Sequence, residues 1–340
     1  MSKTRRGVSA AALITVVVGS VGLISTLNAG AEEAPAPAPT PVEQPEIVPP
    51  ARLPWGQTPS TIQRGPAGAS SRRLQSEGLD AAPPERPGAR YAPKGRTSRE
   101  GDLDATTTEV VPPKPPSLAA AATQTVDFHY NAGSQAAVTD GVYANVTVGK
   151  PTLATTDYHS LAELAVQSAD GAQAVEVGWT VDRVVNGDAE PHLFVYHWIN
   201  GQPTCYNACG FVRYSQTIGP GDTLPQDTVK KLGIQYANGA WWIAYDTEWV
   251  GYYPASRWAG TFTQSGNIQV FGEVAASSSA PCTQMGNGRN GNGDGQAARI
   301  SSVTYLNGPA VDMYVRTTSD YYDVARLTGR TFRYGGAGAC

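Results

Sequence analysis

Apolar and polar positions alternate along most of the chain from Phe128 onward, with the period of two that is typical of β-strands. The pair Asn238-Gly239 separates two of these alternating stretches and predicts a type I′ hairpin turn. Residues 160–167 fit a helix or a strand equally well. The predicted strands are 141–148, 174–181, 192–198, 232–237, 240–246, 249–253, 268–275, 303–305 and 310–316.

Many short strands separated by turn residues are typical of an antiparallel all-β domain, either a sandwich or a barrel. No segment with helical periodicity is long enough to connect the strands of a parallel sheet. The strand pattern begins shortly after Thr123, and the chain from there to its end is long enough for one good-sized core. We therefore predict one all-β domain over residues 123–340.

The N-terminal residues have the composition of an export signal. A basic cluster at 3–6 precedes an uncharged, largely apolar run at 7–27, and small residues follow at 29–31. A permanent membrane anchor is the alternative, because the run is about long enough to span a bilayer. The hydroxyl residues within the run favour cleavage. We predict a signal peptide over residues 1–31 and a secreted protein with no stable membrane association.

Residues 32–122 differ in composition from both flanking regions. They hold 18 of the 26 prolines of the chain, including a Pro-Pro-Lys-Pro-Pro run at 112–116. Such a stretch buries too little apolar surface to offset its conformational entropy. We predict a disordered segment that serves as a linker, a wall-spanning stalk or a pro-segment. Its two aromatic residues, Trp55 and Tyr91, leave a small docking motif as an open alternative.

The predicted domain is acidic and carries all four cysteines. Residues 119–340 contain 12 Lys and Arg against 18 Asp and Glu, which argues against a nucleic-acid partner, since phosphate binding requires a basic surface. An even number of cysteines in an exported chain indicates two disulfides. We favour Cys205–Cys209 and Cys282–Cys340 among three possible pairings. A zinc site is the alternative, but no pair of histidines lies at ligand spacing, and we predict no metal and no other cofactor.

Two glutamates occupy matched positions in their predicted strands. Glu176 lies on the face of 174–181 opposite its aliphatic residues, and Glu273 lies on the corresponding face of 268–275. Each is close to a glycine, which in a strand often marks the close approach of another group. Ordinary charges on a solvent face are the alternative. If the two carboxyl groups act together, we expect their oxygens within about 6 Å, so that one water reaches both.

Aromatic residues are frequent in the same domain and suggest a binding surface. Trp241 and Trp242 are consecutive in a predicted strand, so one of them points to the core and the other to a surface. A surface tryptophan is a platform for sugar rings or for proline. We select Trp179, Trp241 and Trp242 as candidate substrate-binding residues because they are aromatic. We add Gln269 because it shares the face of Glu273.

Several sequence blocks resemble the neprosin-like glutamic peptidases. The most specific are the Glu-x-Gly-Trp block at 176–179, the Cys-Tyr-Asn-x-Cys block at 205–209 and the Gly-Glu-Val block at 272–274. Their order and approximate spacing agree with the family through most of residues 125–340. The matching segments are 175–181, 191–198, 201–212, 238–242, 250–254, 271–274 and 283–286.

The resemblance implies an antiparallel β-sandwich with two catalytic glutamates, which match Glu176 and Glu273. It also implies secretion as a zymogen, activity at acid pH and, in the characterised plant member, cleavage after proline. The proline-rich segment here does not look like the plant activation peptide. We expect a monomeric endopeptidase in which one glutamate activates water and the other is protonated, acting on a polypeptide substrate that includes proline-rich chains.

Two other classes of protein fit parts of the pattern. A glycosidase also uses two carboxylates and aromatic platforms on a β-sandwich. A non-catalytic cell-wall or carbohydrate-binding module would use the aromatic residues alone and leave both glutamates as surface charges. The sequence contains neither the Gly-x-Ser-x-Gly motif of serine hydrolases nor the His-Glu-x-x-His motif of zinc hydrolases.

Overall fold

The structure is a computed structural model that describes residues 47–60, 107–108 and 126–340. Strands account for nearly all of its regular structure, with one short helix, α1 (Arg183–Asn186), and one 3₁₀ turn at Ala255–Trp258. The strands are β1 (Thr107–Thr108), β2 (Val126–Thr139), β3 (Gly141–Val148), β4 (His159–Gln167), β5 (Ala174–Val181), β6 (His192–Ile199), β7 (Gln202–Pro203), β8 (Val212–Arg213), β9 (Thr228–Ala237), β10 (Ala240–Tyr245), β11 (Glu248–Pro254), β12 (Ser265–Ala276), β13 (Arg299–Leu306), β14 (Tyr314–Thr317), β15 (Asp323–Thr328) and β16 (Thr331–Gly335).

The strands form two antiparallel sheets that pack as a sandwich, which confirms the predicted fold class. The first sheet has the order β1-β2-β12-β4-β5-β6-β7, with β14 also paired to β2. The second sheet has the order β15-β16-β13-β3-β9-β10-β11-β8. Strands distant in sequence are neighbours in both sheets, so the residues at the centre of the first sheet come from widely separated parts of the chain.

One apolar core fills the space between the two sheets, and the predicted alternation accounts for it. In β5 the residues Val175, Val177 and Trp179 are buried in this core, and Glu176 points to the other face. In β12 the core residues include Val270 and Val274. The outer face of the first sheet is therefore the place where the intervening polar residues collect.

Two local predictions have clear outcomes. Residues 160–167 form a strand, β4, whose nine positions are all buried, and burial on both faces explains why no alternation identified it. The β9–β10 hairpin is confirmed, with positive φ of 51° at Asn238 and 79° at Gly239, as a type I′ turn requires.

The chain before the domain is described only in part. Residues 47–60, which we call the strap, lie within the segment for which the sequence predicts disorder, yet they pack against the outer face of the second sheet. The predicted signal peptide at 1–31 and the proline run at 112–116 lie outside the described residues. In the described part of the chain, no helix is long and apolar enough to cross a membrane.

Candidate active site

The outer face of the first sheet carries a second, smaller cluster of buried side chains, separate from the core between the sheets. It is rich in aromatic residues contributed by β2, β12 and β6 and by the loops beside them. Glu176 and Glu273 lie on this face and are only 1% and 2% exposed. The cluster consists of Val126, Phe128, Tyr130, Ala132, Tyr158, Leu161, Ala165, Ala174, Val185, Phe194, Tyr196, Trp198, Tyr206, Phe271 and Ala275.

The register of the strands sets the spacing of the two predicted glutamates. Glu273 in β12 pairs with Leu161 in β4, and Leu161 pairs in turn with Thr180 in β5. Glu176 precedes Thr180 by four residues. The two glutamates are therefore two strands apart, about 10 Å across a flat sheet, and about 13 Å apart along the strands. Their predicted carboxyl distance of about 6 Å stays a prediction.

A third glutamate lies between the two predicted ones. Glu163 in β4 pairs with Phe271 on one side and with Gly178 on the other, and it is 1% exposed. It is thus offset by two residues from Glu273 and by two residues from Glu176, on the strand next to each. Such diagonal neighbours are about 7–8 Å apart at Cα, so the three carboxyl groups form one oblique row across the face.

The glycine of the Glu-x-Gly-Trp block makes room for this row. A Cβ atom added to Gly178 would lie 2.7 Å from the Cβ of Glu163 and 2.7 Å from a ring carbon of Phe194, and closer still to the backbone oxygen of Ala162. No real side chain is compatible with such contacts. The close approach expected at this glycine is therefore that of Glu163 and Phe194, two neighbours on the same face.

A histidine and an aspartate lie behind Glu273. The His159 Nε2 atom is 2.8 Å from Glu273 Oε1, and its Nδ1 atom is 3.8 Å from Asp182 Oδ2. All three side chains are 2% exposed or less. The other oxygen of Asp182 accepts a hydrogen bond from the backbone N–H of Val185 in α1. The start of that helix thus fixes Asp182, and the Asp182–His159–Glu273 chain orients one oxygen of the glutamate.

The second oxygen of Glu273 is differently placed. Glu273 Oε2 is buried and has no hydrogen-bond partner among the residues that the structure describes. A buried carboxylate oxygen normally binds a donor, such as a water or a substrate group. The geometry therefore leaves this oxygen available to accept a proton from a water molecule, while His159 holds the other oxygen.

Glu176 is oriented by an aromatic residue from the next strand. The Trp198 indole Nε1–H donates a hydrogen bond of 2.9 Å to Glu176 Oε1. An indole N–H can only donate, so this oxygen acts as the acceptor. Tyr196, which pairs with Glu176 across β5 and β6, packs 5.4 Å from the Trp198 ring. These two rings form an aromatic wall beside Glu176.

Two tyrosines supply neutral hydroxyl groups. Burial raises the pKa of Tyr130 well above its ordinary value, and the charges of Glu273, Glu163 and Glu176 raise it further. Tyr130 pairs directly with Glu273, and in the described part of the chain its hydroxyl has no hydrogen-bond partner. Burial likewise raises the pKa of Tyr206, followed by the charge of Asp182. Both phenols thus stay protonated and able to donate.

The short disulfide positions Tyr206. Cys205 and Cys209 are bonded, as are Cys282 and Cys340, so both predicted pairings are confirmed. The first disulfide closes the loop that carries Tyr206, whose ring lies 5.0 Å from Tyr196. Asn207 in the same loop hydrogen-bonds through its backbone N–H to the Val195 oxygen of β6 at 3.0 Å. The loop is therefore tied to the strand beside the glutamates.

The candidate substrate-binding tryptophans lie elsewhere. Trp179 and Trp241 are buried in the core between the sheets, where their indoles donate to the backbone oxygens of Thr147 and Phe262. Trp242 lies on the outer face of the second sheet. Only Gln269 shares the face of the glutamates, and its Oε1 accepts a bond from Gln167 at 3.4 Å. The structure thus brings Glu176, Glu273 and Gln269 onto one face and separates the three tryptophans from them.

Within residues 47–60 and 126–340, no group of three or more His, Cys, Asp and Glu side chains could hold a metal ion. The 2.8 Å contact of His159 with Glu273 is a hydrogen-bonding distance, whereas the 3.8 Å contact of His159 with Asp182 is longer than a hydrogen bond.

Comparison with known proteins identifies a family. The Neprosin family model matches residues 156–337, just over half of the chain. Among solved structures, a scytalido-glutamic peptidase with a transition-state analogue inhibitor matches at 10% identity and a TM-score of 0.38, covering 63% of this chain and 100% of that one. An eqolisin-family peptidase in complex with a tripeptide matches at 9% identity and a TM-score of 0.37, with the same coverage.

A carbohydrate-active enzyme also appears among the similar structures. A Bacteroides ovatus family 16 glycoside hydrolase for mixed-linkage glucan matches at 10% identity and a TM-score of 0.30, covering 46% of this chain and 69% of that one. The family match, by contrast, includes the Glu-x-Gly-Trp and Gly-Glu-Val blocks and both glutamates they contain. This chain belongs to the neprosin family, the glutamic peptidases that its motifs resemble.

Proposed function

We propose that this protein is a secreted glutamic endopeptidase in which Glu176 and Glu273 activate a water molecule. The observation that carries the proposal is the row of three buried carboxyl groups, flanked by two neutral phenols, on one face of the sandwich. An ordinary solvent-exposed charge would not be 1–2% exposed. Burial of several carboxyl groups together therefore argues for chemistry and against a simple binding module.

In this proposal Glu273 is the base. His159 holds its Oε1 atom, and its Oε2 atom is the one that accepts a proton from water. The water oxygen then forms a bond to the carbonyl carbon of the substrate, and the carbonyl oxygen becomes an oxyanion. Tyr130 lies directly across the strand pair from Glu273 and supports this step as a hydrogen-bond donor to the oxyanion.

Glu176 is the acid. It donates a proton to the leaving nitrogen as the carbon–nitrogen bond breaks, which yields a carboxyl and an amino product without a covalent enzyme intermediate. In this proposal Glu163, which lies between the two, shares protons with them, because neighbouring buried carboxyl groups favour a common proton. One protonated and one ionised member require an acidic optimum.

The aromatic wall and the disulfides support the remaining parts of the proposal. Trp198 and Tyr196 beside Glu176 would contact an extended, apolar or proline-containing peptide. Two disulfides in one domain favour an oxidising, extracellular location. Self-cleavage near residues 112–122 on acidification would break the covalent link between the preceding segment and the domain, and a new N-terminus directly after a proline would indicate prolyl specificity.

A substrate screen tests the function. The exported, acid-treated protein is incubated from pH 3 to pH 7 with a mixed peptide library and, in parallel, with plant and bacterial polysaccharides. We expect peptide products, most abundant below neutral pH, and no sugar products. Release of oligosaccharides alone would show a glycosidase, and binding without any product would show a non-catalytic module. N-terminal sequencing of the wild type and of Glu176→Gln after acid treatment shows whether shortening depends on the protein's own activity.

A further inference from the structure

The strap, residues 47–60, is bound to the second sheet in the manner of a peptide ligand. It lies on the outer face of that sheet, whereas the three glutamates lie on the outer face of the first sheet. The chain between residues 60 and 126 joins the strap to the domain. The strap contacts described below are therefore independent of the proposed chemistry.

Leu53 is the apolar anchor of the strap. Its side chain is 2% exposed, and it packs with Ala240, Trp242 and Trp249. Leucine burial of this kind contributes about 1.5–3 kcal/mol relative to exposure. The ring of Trp242 also contacts the rings of Trp249 and Tyr252. The strap thus adds to the burial of a tryptophan that lies outside the core between the sheets.

Trp55 packs beside Leu53 over a glycine. A Cβ atom at Gly233 would lie 3.0 Å from Pro54 and 3.2 Å from the Trp55 ring, so the absence of a side chain there lets the strap lie close to β9. The Trp55 ring also makes an edge contact with Tyr143, at 5.9 Å between centroids, and lies 5.5 Å from the Lys231 ammonium group.

Hydrogen bonds fix the backbone of the strap at three points along its length. The Asn238 side chain donates to the Val48 oxygen at 2.9 Å, the Trp249 indole donates to the Pro50 oxygen at 3.0 Å, and the Ser60 N–H donates to the Thr247 oxygen at 2.7 Å. Two of these bonds use side chains of the domain. The strap therefore lies across the face of the sheet and does not extend it as another strand.

The strap is also preorganised. Leu53 and Gln57 are joined by a backbone bond of 2.8 Å, and Gly56 closes a turn onto Leu53 at the same distance, with a φ of +84° that favours glycine. The strap contains prolines at 49, 50, 54 and 59. A segment already restricted in this way loses little entropy when it binds.

We propose that the strap is a built-in anchor, which keeps the N-terminal region bound to the domain after the chain has been cut between residues 60 and 126. The processed protein is then two chains held together without a covalent link. Both predicted disulfides lie within the domain, so they do not hold the strap. A cut in this region does not by itself release the residues before it.

A designed cut tests the anchor directly. A recognition sequence for a site-specific protease is inserted between residues 85 and 100 of the full chain, in a Glu273→Gln background so that the protein's own proposed activity adds no cuts. After digestion at micromolar concentration, gel filtration without denaturant and mass spectrometry show whether the fragment elutes with the domain. We expect co-elution, and release by excess synthetic peptide of residues 46–60.

Matched variants separate the strap contacts from the rest of the fold. Leu53→Ala should weaken retention at least about tenfold, since a buried leucine is lost. Val48→Ala is the control, because that side chain is 48% exposed and only its backbone oxygen is used. Separation of the wild-type fragment, or equal release by Val48→Ala and Leu53→Ala, would overturn the proposal.

Discussion

The chain of contacts behind Glu273 makes the effect of removing His159 predictable. His159→Leu introduces an apolar side chain of similar length and removes both ring nitrogens. The 2.8 Å contact to Glu273 and the 3.8 Å contact to Asp182 are lost together. His159→Gln keeps one N–H donor for Glu273 and cannot also reach Asp182. The two variants therefore separate orientation of Glu273 from coupling to Asp182.

The expected magnitudes follow from burial. Glu273 and Asp182 are 2% and 1% exposed, so an oxygen left without its partner costs about 1–3 kcal/mol of unfolding free energy in His159→Leu. A displacement of the catalytic carboxyl by about 1 Å costs on the order of 10²-fold in rate. We therefore expect kcat to fall about 100-fold in His159→Leu and by less in His159→Gln, with KM within a few-fold of wild type in both.

The assay measures kcat and KM on a peptide substrate across the acid range, together with urea unfolding. His197→Gln is the matched control, because His197 is equally buried but lies in β6 with its ring against Tyr253 and Trp258 in the core between the sheets. That variant should keep its kcat per folded molecule. A folded His159→Leu protein with kcat within threefold of wild type would refute the role of the Asp182–His159–Glu273 chain.

Three further predictions concern stability. Gly178→Ala forces a Cβ to within 2.7 Å of the Glu163 and Phe194 side chains and should lower the unfolding free energy by about 1–3 kcal/mol or more. Gly293→Ala is the control, because its Cβ would meet only Asn290 at 3.8 Å and should change the unfolding free energy little. Equal urea midpoints for the two variants would contradict this packing. Burial, followed by the charge of Arg257, lowers the pKa of His197 to about 3. Because the unfolded chain takes up a proton at His197 near pH 6.5 and the folded chain does not, the unfolding free energy should fall by up to roughly 1.4 kcal/mol per pH unit between pH 6.5 and pH 3. Urea titrations at pH 7 and pH 4 should show that His197→Phe lacks this part of the pH dependence. The same pH dependence in wild type and His197→Phe would show that the histidine titrates normally. Replacing Cys282 and Cys340 by serine removes a disulfide between residues 58 positions apart and should lower the unfolding free energy by about 2–5 kcal/mol in the same assay. A decrease of less than about 1 kcal/mol would show that other contacts hold the C-terminal tail.

The sequence was sufficient to find the face that carries the two candidate glutamates. Alternation in β5 and β12 separates Glu176 and Glu273 from the core residues between them, because the strand period of two leaves no other arrangement. The Asn238-Gly239 turn could also be predicted from the sequence, since only a few residue pairs adopt positive φ twice in succession. Both disulfide pairings also followed from cysteine spacing.

Other parts of the site depend on long-range pairing and could not be read from local pattern. Glu163 was hidden in β4, whose burial on both faces erases the alternation that identifies a half-exposed strand. If residues 160–167 had been assigned to a strand, Glu163 would have pointed to the face opposite that of Ala162 and Leu164. This placement was the one sequence signal that could have identified Glu163. The contact of His159 with Glu273 joins residues 114 positions apart and depends on the β4–β12 register.

The tryptophans show a different limit. Consecutive Trp241 and Trp242 do point to opposite faces, as their positions in a strand require. The sequence could not show that Trp242 is covered by Leu53, because the strap lies almost 190 residues earlier in a proline-rich region that local composition assigns to disorder. Apolar contacts of Leu53, Pro54 and Trp55, together with hydrogen bonds from Asn238 and Trp249, hold this short stretch against the sheet.

Glutamine substitution at Glu176 and at Glu273 tests most directly whether these two residues together activate water. Initial rates of peptide hydrolysis at the acid optimum are compared for wild type, Glu176→Gln, Glu273→Gln and the control Glu190→Gln, whose side chain is 40% exposed in a surface pair with Lys150. We expect losses of at least about 10³-fold for the first two variants with the fold intact, and wild-type activity for the control. If folded Glu176→Gln or Glu273→Gln keeps most of its activity, the two-glutamate mechanism is contradicted.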